Sequence, residues 1–111
     1  MSKRYATGFS VVRVSGLSMI PALAPRDLLV VRWGGDVGVG DVVVVEHPKH
    51  PDLLLIKRLV RIDDDGAWVM GDNPGASDDS RDFGAVHSDA IVGRALARVW
   101  PWPWQSMLHL R

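Results

Sequence analysis

The run Val42-Val43-Val44-Val45 restricts the fold more than any other part of the sequence. Its β-branched residues favour a strand, where their side chains pack well on a pleated surface. The run does not alternate between apolar and polar residues, so we predict a strand that is buried on both faces. Glycines at 38 and 40 before the run, and prolines at 48 and 51 after it, interrupt regular structure on either side.

Other short apolar runs, each bounded by turn residues, predict an all-β domain. We expect further strands at residues 9–14, 27–33, 53–62, 67–70 and 91–100. For the last of these ranges a helix remains the alternative. Residues 63–66 have the composition of a hairpin turn. Strands at this spacing predict a small barrel or a coiled sheet.

Length and composition limit the class of protein. At 111 residues the chain has room for one domain with a modest core. We expect residues 1–8 to be flexible and residues 101–111 to form a tail rich in Trp and Pro. The formal net charge is zero, which gives no indication of a nucleic-acid partner. The absence of Cys excludes disulfides, thiolate metal sites and cysteine nucleophiles.

No apolar stretch approaches the roughly 18–20 residues that a membrane-spanning helix needs. The sequence therefore predicts a soluble, cytoplasmic protein. Association with a membrane is the alternative if a longer parent chain carries an anchor.

Ser18 follows the first apolar run in what we predict to be a tight turn. Gly16 before it and Pro21 after it restrict the backbone on both sides. A serine held in this way can be a nucleophile if a neighbouring base removes its proton. It can equally be a capping residue that satisfies a free N–H group of the turn.

Lys57 lies in the middle of the strand predicted at residues 53–62. A lysine that faces solvent is ordinary at such a position. A buried lysine has a lowered pKa, because burial disfavours the charged form, and it can then act as a general base. The sequence leaves both interpretations open.

Residues 71–84 form a polar loop rich in Asp, Ser, Asn and Arg. Its length and composition favour a functional or internally bonded loop. A solvated loop held by Asx-turns is the alternative.

A pair of histidines and a pair of tryptophans can each be read as ordinary structural residues or as part of a binding site. His47 and His50 flank Pro48, but no further ligand cluster accompanies them, so we expect a solvated loop and no metal. For Trp100, and with it Trp102, we favour packing against the barrel over anchoring at a membrane interface. Exposed, these tryptophans could instead dock a precursor protein.

Four segments carry a resemblance to a known family. They are Gly16-x-Ser18-Met19-x-Pro21-x-Leu23, Gly40-Asp41-Val42-Val43-Val44, Ile56-Lys57-Arg58-Leu59-Val60, and Gly71-Asp72-Asn73 with Ser77-x-Asp79-Ser80-Arg81-x-Phe83-Gly84. In order and spacing they resemble the four motifs of the signal peptidase I family of Ser/Lys endopeptidases. The resemblance implies a coiled β-sheet catalytic domain over most of residues 11–100.

The resemblance also implies roles for the catalytic residues. Ser18 matches the nucleophile and Lys57 the general base. Ser77 matches a serine that hydrogen-bonds the lysine amine. Gly16 stands where some members have a serine that assists the oxyanion hole, so here the hole would consist of backbone N–H groups.

Four further residues match the scaffold around this site. Asp79 and Arg81 match an ion pair that stiffens the loop. We expect Arg58 and Asp72 to be additional scaffold partners. No metal or cofactor is implied.

The expected substrate is a precursor protein or leader peptide bound in extended form. The chain shows neither the anchor nor the inserted second β domain of typical members. With the motif at residues 71–81 and the Trp-Pro tail, it is most similar to the subgroup of nickel-type superoxide dismutase maturation proteases. That resemblance implies removal of a leader from a cytoplasmic superoxide dismutase precursor.

Three alternatives remain open. The chain can be the soluble catalytic domain of a membrane signal peptidase I, or a non-catalytic β module. It can also be a self-cleaving repressor that shares Ser/Lys chemistry. A repressor needs a DNA-binding domain and a cleavage site ahead of Ser18, and residues 1–15 are too short for either.

Overall fold

A computed structural model describes residues 7–76 and 78–101. Residues 1–6, and with them most of the segment expected to be flexible, lie outside the described part. So do Ser77 and residues 102–111, which include Trp102 and Trp104.

Six strands form one antiparallel sheet in the order β1-β2-β6-β3-β4-β5. They are β1 (Gly8–Arg13), β2 (Leu28–Trp33), β3 (Val42–Glu46), β4 (Leu54–Asp63), β5 (Gly66–Met70) and β6 (Ile91–Trp100). The predicted all-β class is confirmed, and each strand agrees with its predicted range to within one residue. The last range is a strand and not the alternative helix. The sheet is open, with β1 and β5 at its edges.

Short helical segments occur between β5 and β6. They are a 3₁₀ turn (Pro74–Ala76), helix α1 (Ser80–Phe83) and a second 3₁₀ turn (Ser88–Ala90). The first 3₁₀ turn and α1 lie within the polar loop predicted at residues 71–84, and the second 3₁₀ turn begins four residues after it. The loop is therefore internally structured.

Strand β3 lies between two apolar cores. Val42 and Val44 belong to the first core, whereas Val43 and Val45 belong to the second. All four side chains are buried, which confirms the prediction of a strand covered on both faces. The split follows from the strand geometry, because successive side chains point to opposite faces of a sheet.

The first core fixes the segment that follows β1. Met19 and Leu23 are almost fully buried in it, beside residues of β2, β3 and β6. Their spacing fits one helical turn, and the Leu23 N–H donates to the Met19 carbonyl at 2.9 Å. The second core lies under the segment between β5 and β6, which contributes Val86 and, at its margin, Phe83.

The hairpin between β4 and β5 requires a glycine at its end. Asp63 pairs with Gly66 across the turn, as the sequence predicted. Gly66 has a φ of +121°, and a Cβ there would lie 2.4 Å from the Val86 carbonyl oxygen. The approach is close because Ala67 and Val86 exchange two backbone hydrogen bonds of 2.8 Å.

Trp100 does not pack as expected. Its side chain is 58% exposed. It lies at the end of β6, opposite Leu28 at the start of β2 and outside both cores. The strand therefore continues past the apolar interior that would have covered the indole.

The replacement Gly66→Ala is expected to lower the free energy of unfolding by more than about 2 kcal/mol. A Cβ has no room beside the Val86 carbonyl, and the positive φ adds strain of about 1–2 kcal/mol. Urea unfolding measures the change.

Gly34→Ala is the matched control, because Gly34 also has a positive φ (+73°) but its Cβ would meet only Thr7 Cγ2, at 3.9 Å. An equal loss in the two variants would contradict the steric explanation.

Candidate active site

Ser18 lies at the surface of the first core. The next residue, Met19, is 2% exposed, whereas the preceding Leu17 is 51% exposed. Gly16 has a φ of +79°, a backbone conformation that glycine adopts without the strain other residues meet. The side chain of Ser18 is half-buried. The turn that carries it is restrained by Gly16 before the serine and by the burial of Met19 after it.

Asn73 holds this turn from the loop that follows β5. Its backbone N–H donates to the Ser18 carbonyl at 2.8 Å. Its side-chain amide donates to the Leu17 carbonyl at 3.1 Å. Asn73 stands in the Gly71-Asp72-Asn73 segment but was not among the site residues expected from the sequence.

Arg58 and Asp72 form a bidentate ion pair. Arg58 Nε and Nη2 lie 3.0 and 2.8 Å from the two Asp72 carboxylate oxygens. The hydrogen bond with Asp72 raises the pKa of Arg58. Arg58 Nη1 also donates to the Gly40 carbonyl at 3.0 Å. Arg58 follows Lys57 and Asp72 precedes Asn73, so the pair connects the strand of the lysine to the segment that holds Ser18.

Asp79 is fully buried and organises the rest of the loop. Its carboxylate caps α1 by accepting from the Arg81 N–H at 3.0 Å, and it also accepts from the Gly71 N–H at 2.8 Å. The Arg81 guanidinium donates to both carboxylate oxygens. Burial alone would raise the pKa of Asp79, but the hydrogen bonds from Arg81 and Gly71 outweigh it and lower the pKa to about 2.

Lys57 is buried, with only 3% of the residue exposed. It lies in β4 directly opposite Val43 of β3 and two residues before Leu59, both of which belong to the second core. Of the two interpretations that the sequence left open, the structure has the buried one.

The surroundings of Lys57 lower the pKa of its amine. Burial lowers its pKa below the ordinary 10.5 and is the largest effect. The carboxylates of Asp79, Asp78 and Asp82 act in the opposite direction, whereas Arg81 assists the lowering.

Hydrogen bonds and ion pairs connect several of the expected site residues. Lys57 interacts electrostatically with Asp79 and Arg81, and Arg58 and Asp72 link this group to the Ser18 turn through Asn73. Ser77, the expected partner of the lysine amine, lies outside the described residues.

The expectation of a solvated histidine loop is wrong for His47, whose side chain is buried at 6% exposure. His47 Nε2 lies 3.0 Å from Asp78 Oδ2, and its ring centroid lies 5.2 Å from that of Phe83. His50 is exposed, as expected. In residues 7–76 and 78–101 no group of three His, Cys, Asp or Glu side chains could hold a metal ion.

Comparison with known proteins defines the class as a peptidase. The chain belongs to the Peptidase S24-like family, whose model matches residues 5–96. It is similar to subunit 1a of the mitochondrial ATP-independent inner membrane protease of Arabidopsis thaliana, with 34% identity over 83% of this chain and 71% of the relative.

Two further relatives bear similar names. Subunit 2 of the mitochondrial inner membrane protease of Danio rerio is 35% identical, over 82% of this chain and 64% of its own length. Subunit 1 of the mitochondrial inner membrane protease of Schizosaccharomyces pombe is 32% identical, over 88% of this chain and 78% of its own length. These relatives are not nickel-type superoxide dismutase maturation proteases, so the comparisons do not support that narrower resemblance.

The names of the relatives refer to a membrane, and the expected cytoplasmic location finds no support in them. Within the described ranges, the chain has no helix of the length and apolar character needed to cross a bilayer.

Replacement of Asp79 by Asn is expected to reduce stability most at neutral pH. A carboxyl whose pKa is lowered in the folded state stabilises that state above its unfolded pKa of 3.8, and loses this effect as the pH falls toward about 2. The shift corresponds to about 2 kcal/mol at pH 7. Asp79→Asn should therefore lower the free energy of unfolding by that order at pH 7 and flatten its fall between pH 4 and pH 2.

Urea unfolding at several pH values tests this expectation, with Asp64→Asn in the exposed hairpin turn as the control. A deficit for Asp79→Asn that is equally large at pH 7 and pH 2 would rule out the ionised carboxylate as its cause.

Proposed function

We propose that this chain is the catalytic domain of a signal-peptidase-like serine endopeptidase that removes an N-terminal leader from a precursor protein. The observation that carries the proposal is the burial of Lys57 in a chain of a peptidase family. A lysine residue that is only 3% exposed and has a lowered pKa can be neutral when the substrate arrives, as a general base must be.

In this mechanism Ser18 is the nucleophile and Lys57 the base. The neutral amine takes the proton of Ser18 Oγ as the oxygen attacks the carbonyl carbon of the scissile peptide bond. The resulting ammonium gives the proton to the leaving amine, and an ester to Ser18 remains. Lys57 then deprotonates a water molecule, which attacks the ester. As the bond to Ser18 Oγ breaks, the ammonium of Lys57 returns the proton to that oxygen, and the new carboxyl end is released.

The oxyanion is stabilised by backbone N–H groups at the Ser18 turn. Gly16 has no side chain that could donate, so the direction of the main chain alone decides where these donors point. The anchoring of the turn by Met19 and by the bonds from Asn73 supports this role, because preorganised donors need a rigid backbone.

In this proposal Arg81 opposes the effect of the Asp79 carboxylate on the pKa of the base. A buried carboxylate without its own partner would favour the ammonium form of Lys57. Asp79 is instead engaged by Arg81 and by two backbone N–H groups, and the Arg81 charge acts on Lys57 in the opposite sense. We assign the orientation of the amine to Ser77 on the strength of the family resemblance.

The substrate is proposed to bind as an extended segment. β1 is an edge strand of the sheet, and residues 14–17 connect it to Ser18. A peptide that pairs with this edge would bring its scissile bond to the serine turn, with backbone hydrogen bonds supplying affinity.

The names of the relatives favour a precursor that is processed at a membrane. This corresponds to the catalytic domain of a membrane signal peptidase rather than to a cytoplasmic enzyme. A superoxide dismutase precursor has the motif at residues 71–81 and the Trp-Pro tail in its favour, and it is retained as one arm of the test.

Purified chain incubated with leader-bearing precursors is expected to release the leader, as read by intact mass. Ser18→Ala and Lys57→Met should lower the rate by roughly 10³-fold or more, because each removes a group of the covalent mechanism. One precursor should carry a leader of the exported or inner-membrane type, and another should be a nickel-type superoxide dismutase precursor.

Ser88→Ala and Arg61→Met are the matched controls, since the first removes an exposed hydroxyl and the second an exposed cation of the same strand β4. Cleavage at the control rate in Ser18→Ala or Lys57→Met would overturn the Ser/Lys mechanism. Cleavage of the superoxide dismutase precursor alone would overturn the membrane-type substrate.

A further inference from the structure

His47 is a buried polar residue to which the proposed mechanism gives no role. It directly follows β3, and its backbone N–H donates to the Leu53 carbonyl at 3.0 Å. Its ring packs against Phe83 of α1 and extends from the end of β3 to Asp78 in the loop that precedes α1. The side chain therefore joins a rigid strand end to the loop beside Lys57.

The surroundings of His47 determine which ring nitrogen carries the hydrogen. The backbone N–H of Lys49 lies 3.1 Å from Nδ1 and can only donate, so Nδ1 is the acceptor. In the neutral ring the hydrogen is then on Nε2. Nε2 lies 3.0 Å from Asp78 Oδ2, and the N–H donates to that carboxylate.

The bond to His47 determines where the Asp78 carboxylate stands. The Asp78 side chain is 59% exposed, and an exposed carboxylate that turns toward solvent interacts weakly with its neighbours. In the position held by His47, its charge acts on Lys57 and raises the pKa of the amine against the effect of burial.

We propose that His47 is a positioning residue for Lys57 and acts through Asp78: its Nε2–H holds the Asp78 carboxylate near the lysine and so tunes the general base. The role of Lys57 as a base rests on the proposed function, whereas the coupling from His47 to Lys57 does not. Asp78 does not belong to the Asp79–Arg81 ion pair, and its carboxylate acts on the Lys57 amine independently of that pair.

Several other charged groups face the two residues. Asp79 and Asp82 act on Lys57 in the same sense as Asp78, and Arg81 acts in the opposite sense. His47 lines a cleft of about 330 Å³ together with Glu46, His87 and Asp89, and His50 packs against its ring at 5.0 Å. The effect of His47 must therefore be separated from theirs by substitutions at His47 and Asp78 themselves.

The chain allows a direct titration of the base, because it contains only three lysines, Lys3, Lys49 and Lys57. With ¹³C-labelled lysine, each Cε gives its own NMR signal, and the Lys57 signal is the one missing in Lys57→Met. The titration is then followed in the otherwise unchanged chain and in the variants.

Asp78→Asn is expected to lower the pKa of Lys57, since it removes a negative charge that favours the ammonium form. His47→Leu keeps the packing against Phe83 but loses the donor, and should shift the pKa in the same direction by a smaller amount. His47→Gln places an amide N–H close to the position of Nε2–H and should restore the original titration. Asp64→Asn, the same charge change in the hairpin turn, should leave it unchanged.

A double-mutant cycle separates positioning from a structural effect. If His47 acts through Asp78, His47→Leu has no further effect on the Lys57 titration in the Asp78→Asn background. Additive shifts, or a Lys57 titration that is the same in all variants, would overturn the proposal. Because Asp78 is exposed, Asp78→Asn tests the effect of its carboxylate on Lys57 even if His47→Leu unfolds the chain, and an unchanged Lys57 titration in that variant would by itself overturn the proposal.

Activity supplies the second readout. The acidic limb of the pH profile of kcat/KM, which reports the loss of the neutral base, should move to lower pH in Asp78→Asn and His47→Leu and return in His47→Gln. If the unaltered chain cleaves no precursor, the proposed function fails, while the titration still decides whether His47 acts on Lys57 through Asp78.

Discussion

The bidentate ion pair between Arg58 and Asp72 joins the two halves of the candidate site. Each partner stands next to a residue of the site, since Lys57 precedes Arg58, and Asn73 follows Asp72 and binds the carbonyl of Ser18. The third donor group of Arg58 extends the link to Gly40, at the turn before β3. Lys57 faces the second core, whereas Met19, next to Ser18, belongs to the first. The ion pair therefore connects the two segments that carry the candidate nucleophile and the candidate base.

The charges around Lys57 are arranged so that burial has the larger effect on its pKa. Three carboxylates act on the amine, but Asp79 is engaged by the Arg81 guanidinium and by backbone donors. Asp78 is bound by His47, which limits where its charge can stand. The hydrogen bonds that order the loop are thus the same ones that hold the charges acting on Lys57, and the pKa of the lysine depends on the order of the loop.

The local pattern was enough to predict the strands, because their signals lie within a few residues. The run at residues 42–45 predicted a doubly covered strand, and the run of aspartates before Gly66 predicted a hairpin turn; both are present. Trp100 and His47 were misjudged for one common reason. Whether a side chain is covered depends on elements distant in sequence: β6 extends beyond the cores at Trp100, whereas α1 and the preceding loop cover His47.

The sequence by itself determined the all-β class, the strand boundaries and, through the order of its motifs, the peptidase family. These depend on side-chain periodicity, turn residues and spacing, which are all local properties. Only the tertiary structure decided that Lys57 is buried, that Asn73 holds the Ser18 turn and that His47 reaches Asp78. The contacts of Asn73 with Ser18 and of His47 with Asp78 join residues 55 and 31 positions apart, and no short-range sequence pattern encodes such contacts. The burial of Lys57 depends on the elements that cover its side of the strand.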